Sequence, residues 1–272
     1  MIVITGGAGF IGSNLAAALE ERGRGDLVIC DRLGGDGKWR NIAKRELADI
    51  VAPEALLAFL DANPKRIEAV LHLGAISSTT ETDADLIVAA NFKLSLTLWE
   101  WCARHDTPMI YASSAATYGD GSAGFDDDGA IAALAKLRPL NAYGWSKHLF
   151  DRRVARLIAE EAPRPPHWAG LKFFNVYGPN EYHKGPMRSV AAQIFERAKR
   201  GEPARLFRSH RQGIPDGGQQ RDFVSVDDCV AMTLWLLESE GQWFVQYRQR
   251  QGAQFRRSGG RGVPGDGTRA DG

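Results

Sequence analysis

The chain has 272 residues, 44% of them hydrophobic, a formal net charge of +1 and three cysteines. That length can bury a sizeable core in one or two domains, and the near-zero charge gives no electrostatic case for nucleic acid or an anionic membrane. Cys30, Cys102 and Cys229 are too few and too widely spaced for a disulfide framework or a Cys-x-x-Cys zinc site, and the six histidines lack ligand spacing, so no metal is expected. With no signal peptide and no apolar run of membrane-spanning length, the expected compartment is the cytoplasm.

Met1–Thr5 is a short β-branched apolar run that predicts a buried strand. Gly6-Gly7-Ala8-Gly9-Phe10-Ile11-Gly12 follows at once and leads into a helical stretch from Ser13 to Arg22. Gly7, Gly9 and Gly12 satisfy a G-x-G-x-x-G spacing, and Gly6, Gly9 and Gly12 a G-x-x-G-x-x-G spacing. Such glycines let the backbone turn sharply and approach a pyrophosphate, whose charge the helix N-terminus meets. A second strand over residues 26–30 ends at Asp31, at the distance expected for an acid on the adenosine ribose. A glycine-rich turn in any α/β protein is the competing reading; the place after a first strand, with Asp31 beyond, argues against it.

Residues 68–73 predict another buried strand, running into Gly74-Ala75-Ile76-Ser77-Ser78. Within that strand His72 reads as a satisfied core histidine rather than a ligand. Residues 83–105 carry helical periodicity through Leu86, Leu94, Leu96 and Trp99, and 108–113 predict a strand. The Gly- and Asp-rich stretch 119–128 predicts a mobile surface loop. A helix is expected over 143–162, a strand over 171–175, and a helix over 226–240 after Arg221-Asp-Phe-Val224. The alternation of strands and helices argues for an α/β fold with a parallel sheet covered on both faces.

The predicted helix from residue 143 opens with chemistry. Tyr143 and Lys147 stand four residues apart in Asn-Ala-Tyr-Gly-Trp-Ser-Lys, so they share one helix face. An ammonium beside a phenol favours phenolate and lowers a tyrosine pKa that is ordinarily about 10, making Tyr143 a candidate acid/base. Tyr-x-x-x-Lys alone occurs on many solvated helices; the glycine loop upstream gives it context.

The stretch 242–272 differs in kind, with no Leu, Ile, Met or Lys but six Arg, five Gln and seven Gly. It predicts a largely disordered tail. A sharper reading is a frameshift near Gly241: with suitable codons, the tail read one base out of phase encodes a strand-like start, a glycine turn, a Ser cap and an amphipathic helix.

The motifs Thr5-Gly-Gly-Ala-Gly-Phe-Ile-Gly-Ser-Asn14, Tyr111-Ala-Ser-Ser-Ala-Ala-Thr-Tyr-Gly119, Asn141-Ala-Tyr-Gly-Trp-Ser-Lys147 and Phe174-Asn-Val-Tyr-Gly-Pro179 together resemble the extended short-chain dehydrogenase/reductases that act on nucleotide sugars. Gly74-Ala-Ile-Ser-Ser-Thr-Thr-Glu81 and His183-Lys-Gly185 are most similar to the ADP-glyceromanno-heptose 6-epimerase family, with Arg221-Asp-Phe-Val224 extending the likeness. It covers Met1 to about Gly241. The resemblance implies a Rossmann-like doubly wound parallel sheet with a small, incomplete C-terminal substrate lobe. The expected division is a dinucleotide-binding domain over 1–170, a partial substrate region over 171–241 and the tail beyond. Without the rest of that lobe, the apolar face of residues 226–237 is expected to be exposed and to invite aggregation.

The resemblance also implies roles. Tyr143 would be the acid/base for one epimer and Lys184 for the other, with Ser114 hydrogen-bonding the substrate oxygen and Lys147 binding the nicotinamide ribose while lowering the Tyr143 pKa. Hydride would leave C6 of ADP-D-glycero-D-manno-heptose for NADP and return to the opposite face of the ketone, giving the L-glycero epimer, a precursor of the lipopolysaccharide inner core. Gly6, Gly9, Phe10, Ile11, Gly12, Asp31 and Arg32 would contact the cofactor, with Asp49 and Ile50 near the adenine, Leu73, Gly74, Ala75, Ile76 and Ser77 along the diphosphate, and Val176 and Lys184 also on the cofactor. Lys38, helped by Arg32, would meet a 2′-phosphate and favour NADP; against this, Asp31 suits a free ribose hydroxyl and Lys38 could be a solvated loop lysine. Asn175, His183, Met187, Arg208 and Arg221 are candidate substrate contacts, the two arginines suiting a diphosphate. Lys184 as a phosphate-binding loop lysine, Arg208 as a surface charge and His183 as a support for Lys184 remain open. Pro53 stands where some relatives carry a cofactor-facing lysine, and 209–220 is a long polar loop before Arg221. Family members assemble as homo-oligomers. Other readings are a different NAD(P)-dependent nucleotide-sugar epimerase or reductase, or a non-catalytic NADP-binding remnant; a dehydratase would carry an acid pair where Ala115-Ala116-Thr117 stands.

Overall fold

The computed structural model describes residues 1–203, 220–239, 242–247 and 253–254, with isolated positions between 208 and 218. In chain order the first half runs β1 (Ile2–Thr5), α1 (Phe10–Glu21), β2 (Leu27–Cys30), β3 (Asp49–Val51), α2 (Leu56–Ala62), β4 (Ala69–His72), α3 (Ala84–Ile87), α4 (Leu94–Arg104) and β5 (Met109–Ser114). The second half adds α5 (Ile131–Leu134), α6 (Ala142–Ala159), β6 (Trp168–Phe173), β7 (Asn175–Tyr177) and α7 (Val190–Lys199). It closes with β8 (Gln220–Arg221), β9 (Phe223–Ser225), α8 (Val226–Glu238), β10 (Gln242–Tyr247) and β11 (Ala253–Gln254). Among the described residues seven strands form one sheet in the order β10-β6-β5-β4-β1-β2-β3, and every pairing in it is parallel.

Alternation along the strands explains why the sheet is covered twice. Ile2 and Ile4 of β1, with Ile29 and Leu71, pack on Leu15 and Leu19 of α1 and on Val226, Val230 and Leu234 of α8. Val3, Val28, Val70 and Tyr111 point the other way, onto Leu98 and Trp99 of α4 and Phe150 and Val154 of α6. Side chains of successive strand residues lie on opposite faces, so buried runs of this kind need a helix layer on each side. Side-chain caps set where several helices begin: Asn141 accepts from Gly144 N at α6, and Ser225 from Asp227 N at α8, whose first turn also carries Asp227 and Asp228 against the helix dipole.

The predicted strands and long helices fall where expected, with four differences. β6 begins at Trp168, three residues before the expected start, because Gly170 in it is a contact rather than a break: a Cβ there would stand 2.4 Å from the Tyr111 hydroxyl. The helix expected over 83–105 is interrupted by a π-helical turn over Val88–Lys93, which turns Asn91 inward and buries it completely. A boundary at 170 falls inside β6, and β10 carries the sheet past Gly241, pairing with β6 from Gln242↔Trp168 to Tyr247↔Phe173. A parallel edge needs only backbone partners and a few apolar side chains, and Phe244 supplies one by packing edge-on against Trp168 at 5.2 Å. Apart from the short strand β11, the rest of the expected tail lies outside the described residues. Finally, the apolar face of α8 is largely covered: Val226, Cys229, Val230, Leu234 and Leu236 are buried and only Trp235 among its large apolar residues stays exposed. No helix of the described residues is long and apolar enough to cross a membrane.

Candidate active site

The glycine loop, Asp31, the Leu73–Ser77 segment and Ser114 lie at the carboxyl ends of neighbouring strands, the usual crevice for a ligand in an open α/β sheet. The glycine loop links β1 to α1. Gly6 has φ +65, and a Cβ there would lie 2.8 Å from Gly74, so the turn after β1 and the loop after β4 touch backbone to backbone. A Cβ on Gly12 would stand 2.3 Å from the Gly6 carbonyl, which closes that position to any side chain. Gly9 occupies the N-cap of α1 without a side-chain cap, leaving the first amides of the helix for an anion. This cradle suits a dinucleotide pyrophosphate.

Asp31, just past β2, accepts from Ala8 N at 2.9 Å and from its neighbour Arg32 N at 2.8 Å, and pairs with Lys38 at 2.8 Å. Arg32 is exposed and paired with Glu54. Asp49 and Ile50 on β3 line a shallow cavity with Leu33, Trp39 and Ile42, open beside the Asp31 end of β2. In the loop after β4, Gly74 N donates to Thr5 Oγ1 at 3.0 Å, and the Ile76 backbone is clamped by Asn91, which accepts from Ile76 N at 2.8 Å and donates to Ile76 O at 2.9 Å. Leu73, Ala75 and Ser77 share this segment. His72 is a satisfied core residue: Nδ1 meets Thr5 Oγ1 at 2.7 Å, Nε2 meets Ser95 Oγ at 2.8 Å, and burial followed by the Lys147 charge pushes it down to about 3.

Ser114 closes β5, and Tyr143 and Lys147 rise from the first turns of α6. The Ser114 hydroxyl hydrogen-bonds the Tyr143 phenol. Lys147 is buried and donates from Nζ to the Ala112 carbonyl at 2.7 Å. The expected depression of the Tyr143 pKa is not found. Burial pushes the phenol up, the Ser114 hydrogen bond draws it down, and the nearby Asp151 charge pushes it up again. The ammonium of Lys147 is held on a carbonyl instead, and burial, against the upward pull of Asp151, lowers Lys147 to about 8.

The candidate substrate residues follow β6. Asn175 on β7 hydrogen-bonds the Asp222 carbonyl at 3.2 Å, and Val176 pairs with Val224 on β9. His183, Lys184 and Met187 lie on a 3₁₀ turn over Tyr182–Met187, kinked where Gly185 takes φ 53. The Lys184 ammonium sits over the Phe10 ring at 5.4 Å, so this loop folds back onto the start of α1. Burial lowers the Lys184 pKa, with Glu181 pulling it back up. His183 is engaged rather than open: its Nδ1 receives the Asn41 amide at 3.1 Å. The same amide reaches the Ala8 carbonyl at 3.0 Å and the Asn180 carbonyl at 3.2 Å. Asn14 binds the Pro179 carbonyl at 3.0 Å and Asn180 the Ser13 hydroxyl at 3.1 Å, completing a seam between α1 and the Lys184 loop. Arg208 and Arg221 are exposed, and most of the polar loop 209–220 lies outside the described residues.

Sequence reading passes over Asn91, Asn41 and Thr117, which bond Ile76, His183 and the Ser114 carbonyl, and the buried Asp151 and Lys172. Lys172 did carry a signal: a lysine inside an apolar strand needs a buried partner. Among the described residues no cluster of His, Cys, Asp and Glu is arranged to hold a metal ion.

The chain belongs to the NAD-dependent epimerase/dehydratase family, whose model matches residues 2–245. More narrowly, it is 46% identical over 242 residues to the ADP-L-glycero-D-manno-heptose-6-epimerase of Fusobacterium nucleatum, covering 88% of this chain and 72% of that protein. The crystal structure of ADP-L-glycero-D-manno-heptose-6-epimerase from Helicobacter pylori superposes with a TM-score of 0.76 at 28% identity, over 93% of this chain and 78% of that one. UDP-glucuronic acid 4-epimerase from Bacillus cereus, solved in complex with NAD, gives a TM-score of 0.73 at 25% identity over 93% and 80% of the two chains. The chain is thus an epimerase-family protein similar to enzymes named for their action on nucleotide sugars.

Proposed function

We propose that the chain inverts C6 of ADP-D-glycero-D-manno-heptose to give the L-glycero epimer, with NADP as the bound cofactor. The observation that carries this reading is the Ser114–Tyr143 hydrogen bond beside a buried Lys147, at the mouth of a glycine cradle. NADP, when bound, supplies a hydride acceptor that later returns the same hydride. Tyr143 exchanges a proton with the C6 oxygen of one epimer, and Ser114 donates a hydrogen bond to that oxygen. Lys147 would hold the nicotinamide ribose. Lys184, whose pKa burial lowers, is the acid/base for the other epimer, because inversion at one carbon requires proton handling on two faces. Arg208 and Arg221 offer guanidinium groups to the ADP diphosphate.

For the 2′-phosphate, Lys38 is the supporting group. It already neutralises Asp31, the carboxylate that would otherwise repel a phosphate, and it can turn from that carboxylate to the phosphate. The chain is expected to work in the cytoplasm as a homo-oligomer.

The test is NMR of ADP-D-glycero-D-manno-heptose incubated with NADP and this chain, alongside a version whose tail is encoded in the other frame from Gly241. C6 inversion by both supports the reaction. Inversion by the second version alone makes residues 242–272 an out-of-frame tail and this chain a cofactor-binding remnant. No inversion by either sinks the substrate assignment. Tyr143→Phe should cut turnover by about 10²–10⁴-fold while leaving NADP binding in place.

A further inference from the structure

Behind the catalytic helix lies a buried ion pair that the reaction itself does not use. Asp151, on α6 one turn beyond Lys147, and Lys172, on β6, meet at 3.0 Å with exposures of 0% and 1%. Asp151 also accepts from Ser113 Oγ at 2.7 Å and from the Tyr111 hydroxyl at 3.3 Å. Lys172 donates to Thr117 Oγ1 at 2.9 Å and lies over the Tyr118 ring at 4.8 Å. Thr117 in turn donates to the Ser114 carbonyl at 2.8 Å. The chain of contacts thus reaches Ser114 from two sides: through its neighbour Ser113, and through Lys172 and Thr117.

Two ions removed from water cost several kcal/mol each unless their geometry and remaining hydrogen bonds are satisfied. A hydrophobic pair of similar volume would fill the same space without that penalty, so packing alone gives no reason for charges here. We infer that Asp151 and Lys172 are positioning residues of the Ser114–Tyr143–Lys147 site: the pair fixes Ser114 through Ser113 and Thr117, and Asp151 supports the Lys147 cation from the rear. This rests on the proposed role of the Tyr143/Lys147 pair.

The surrounding charges leave Asp151 as the anion in this pocket. Facing Lys147 are Asp151 on its own helix and His72 on β4. Facing Asp151 are Lys172 on β6, Tyr111 on β5, and Lys147, Tyr143 and His148 on α6. Burial pushes His72 down to about 3 and His148 down to about 4, so both are neutral near pH 7. Tyr111, buried against the Asp151 carboxylate, is held protonated. Lys147 itself stays near 8 under opposing influences, burial lowering it and Asp151 raising it.

The test is ¹³Cε-lysine NMR titration of the full chain, with the Lys147 signal assigned by its loss in Lys147→Met. Asp151→Asn should lower the Lys147 midpoint by about one pH unit or more. Should that variant fold poorly around an unpaired Lys172, Asp151→Asn/Lys172→Met removes both charges and should give a downward shift in the same sense but smaller, since the Lys172 cation no longer opposes Lys147. Lys172→Met alone should not lower it, and Asp151→Glu should restore it. A midpoint that stays put in both Asp151→Asn backgrounds overturns the proposal, because a merely structural pair would leave it unmoved. The titration needs no substrate, so it decides the point even if the chain inverts no heptose; that result would count against the proposed reaction alone. Where turnover is measurable, the same variants should shift the pH profile of kcat rather than scale it evenly.

Discussion

Two aspartate–lysine pairs bracket the site, Asp31–Lys38 at the rim beside the glycine loop and Asp151–Lys172 behind α6. They meet at 2.8 and 3.0 Å, but the rim pair keeps exposures of 10% and 19% while the rear pair has 0% and 1%. The same two groups therefore do different work. At the rim water reaches Lys38, so under the proposed cofactor role the pair can open when a 2′-phosphate arrives. At the rear nothing competes, and desolvation makes either ion intolerable without the other. On the proposed reading, ligand recognition belongs to the first region and the fixed geometry of the reacting groups to the second.

The difference is open to direct attack. The largest effect expected is from Asp151→Ala, which strands a buried cation and should cost about 3–5 kcal/mol in urea unfolding, whereas the charge-free pair Asp151→Asn/Lys172→Met should recover most of that loss. Equal losses in the single and double variants would erase the contrast with the rim. Next comes Lys38→Ala. It should weaken NADP about 10–100-fold, the scale of a charged hydrogen bond, and leave NAD binding and stability nearly unchanged. Fluorescence titration with both cofactors checks it, and an unaltered NADP affinity would remove the rim from cofactor choice.

A smaller effect should appear with acid. His72 has a folded-state pKa of about 3 against an ordinary 6.5. Between those values the unfolded chain takes up a proton that the folded chain refuses, so stability falls as pH falls through that window. In unfolding at about pH 5 this group alone should take roughly 2 kcal/mol from the stability at neutral pH, and His72→Asn should remove that share while leaving the one due to His148, whose pKa is lowered to about 4. The smallest effect belongs to the exposed Arg22–Glu238 bridge between α1 and α8: Glu238→Gln should change stability by less than about 1 kcal/mol, and less still in high salt.

Legibility in the sequence tracks the same division. The glycine loop, Asp31 and the Tyr143/Lys147 spacing could be read because each depends on neighbours within a single turn or strand–turn–helix unit. Strands β1, β2, β4 and β5 announced themselves by short apolar runs. The rear pair could not be read, since Asp151 and Lys172 belong to different elements and only the packing of α6 on the sheet joins them. The π-turn at Val88–Lys93 was hidden because its residues fit an ordinary helical period; the inward turn of Asn91 is a tertiary choice, satisfied by Ile76 and Ser146. β6 starts before the apolar run expected from the sequence, since Gly170 reads locally as a break. β10 was missed because the composition of the tail argues against a core, while the exposed edge of β6 needs only a partner backbone.

The three-way bond of Asn41 bears on motion. One amide group touches the carbonyls of Ala8 and Asn180 and the ring of His183, so the glycine turn and the Lys184 loop share a single post. Segments fastened to a common post open as one unit. Amide hydrogen exchange near Gly9 should then rise in concert with exchange near Lys184 when Asn41 is replaced by alanine, and a loosened cofactor turn would bring a wandering Lys184 with it.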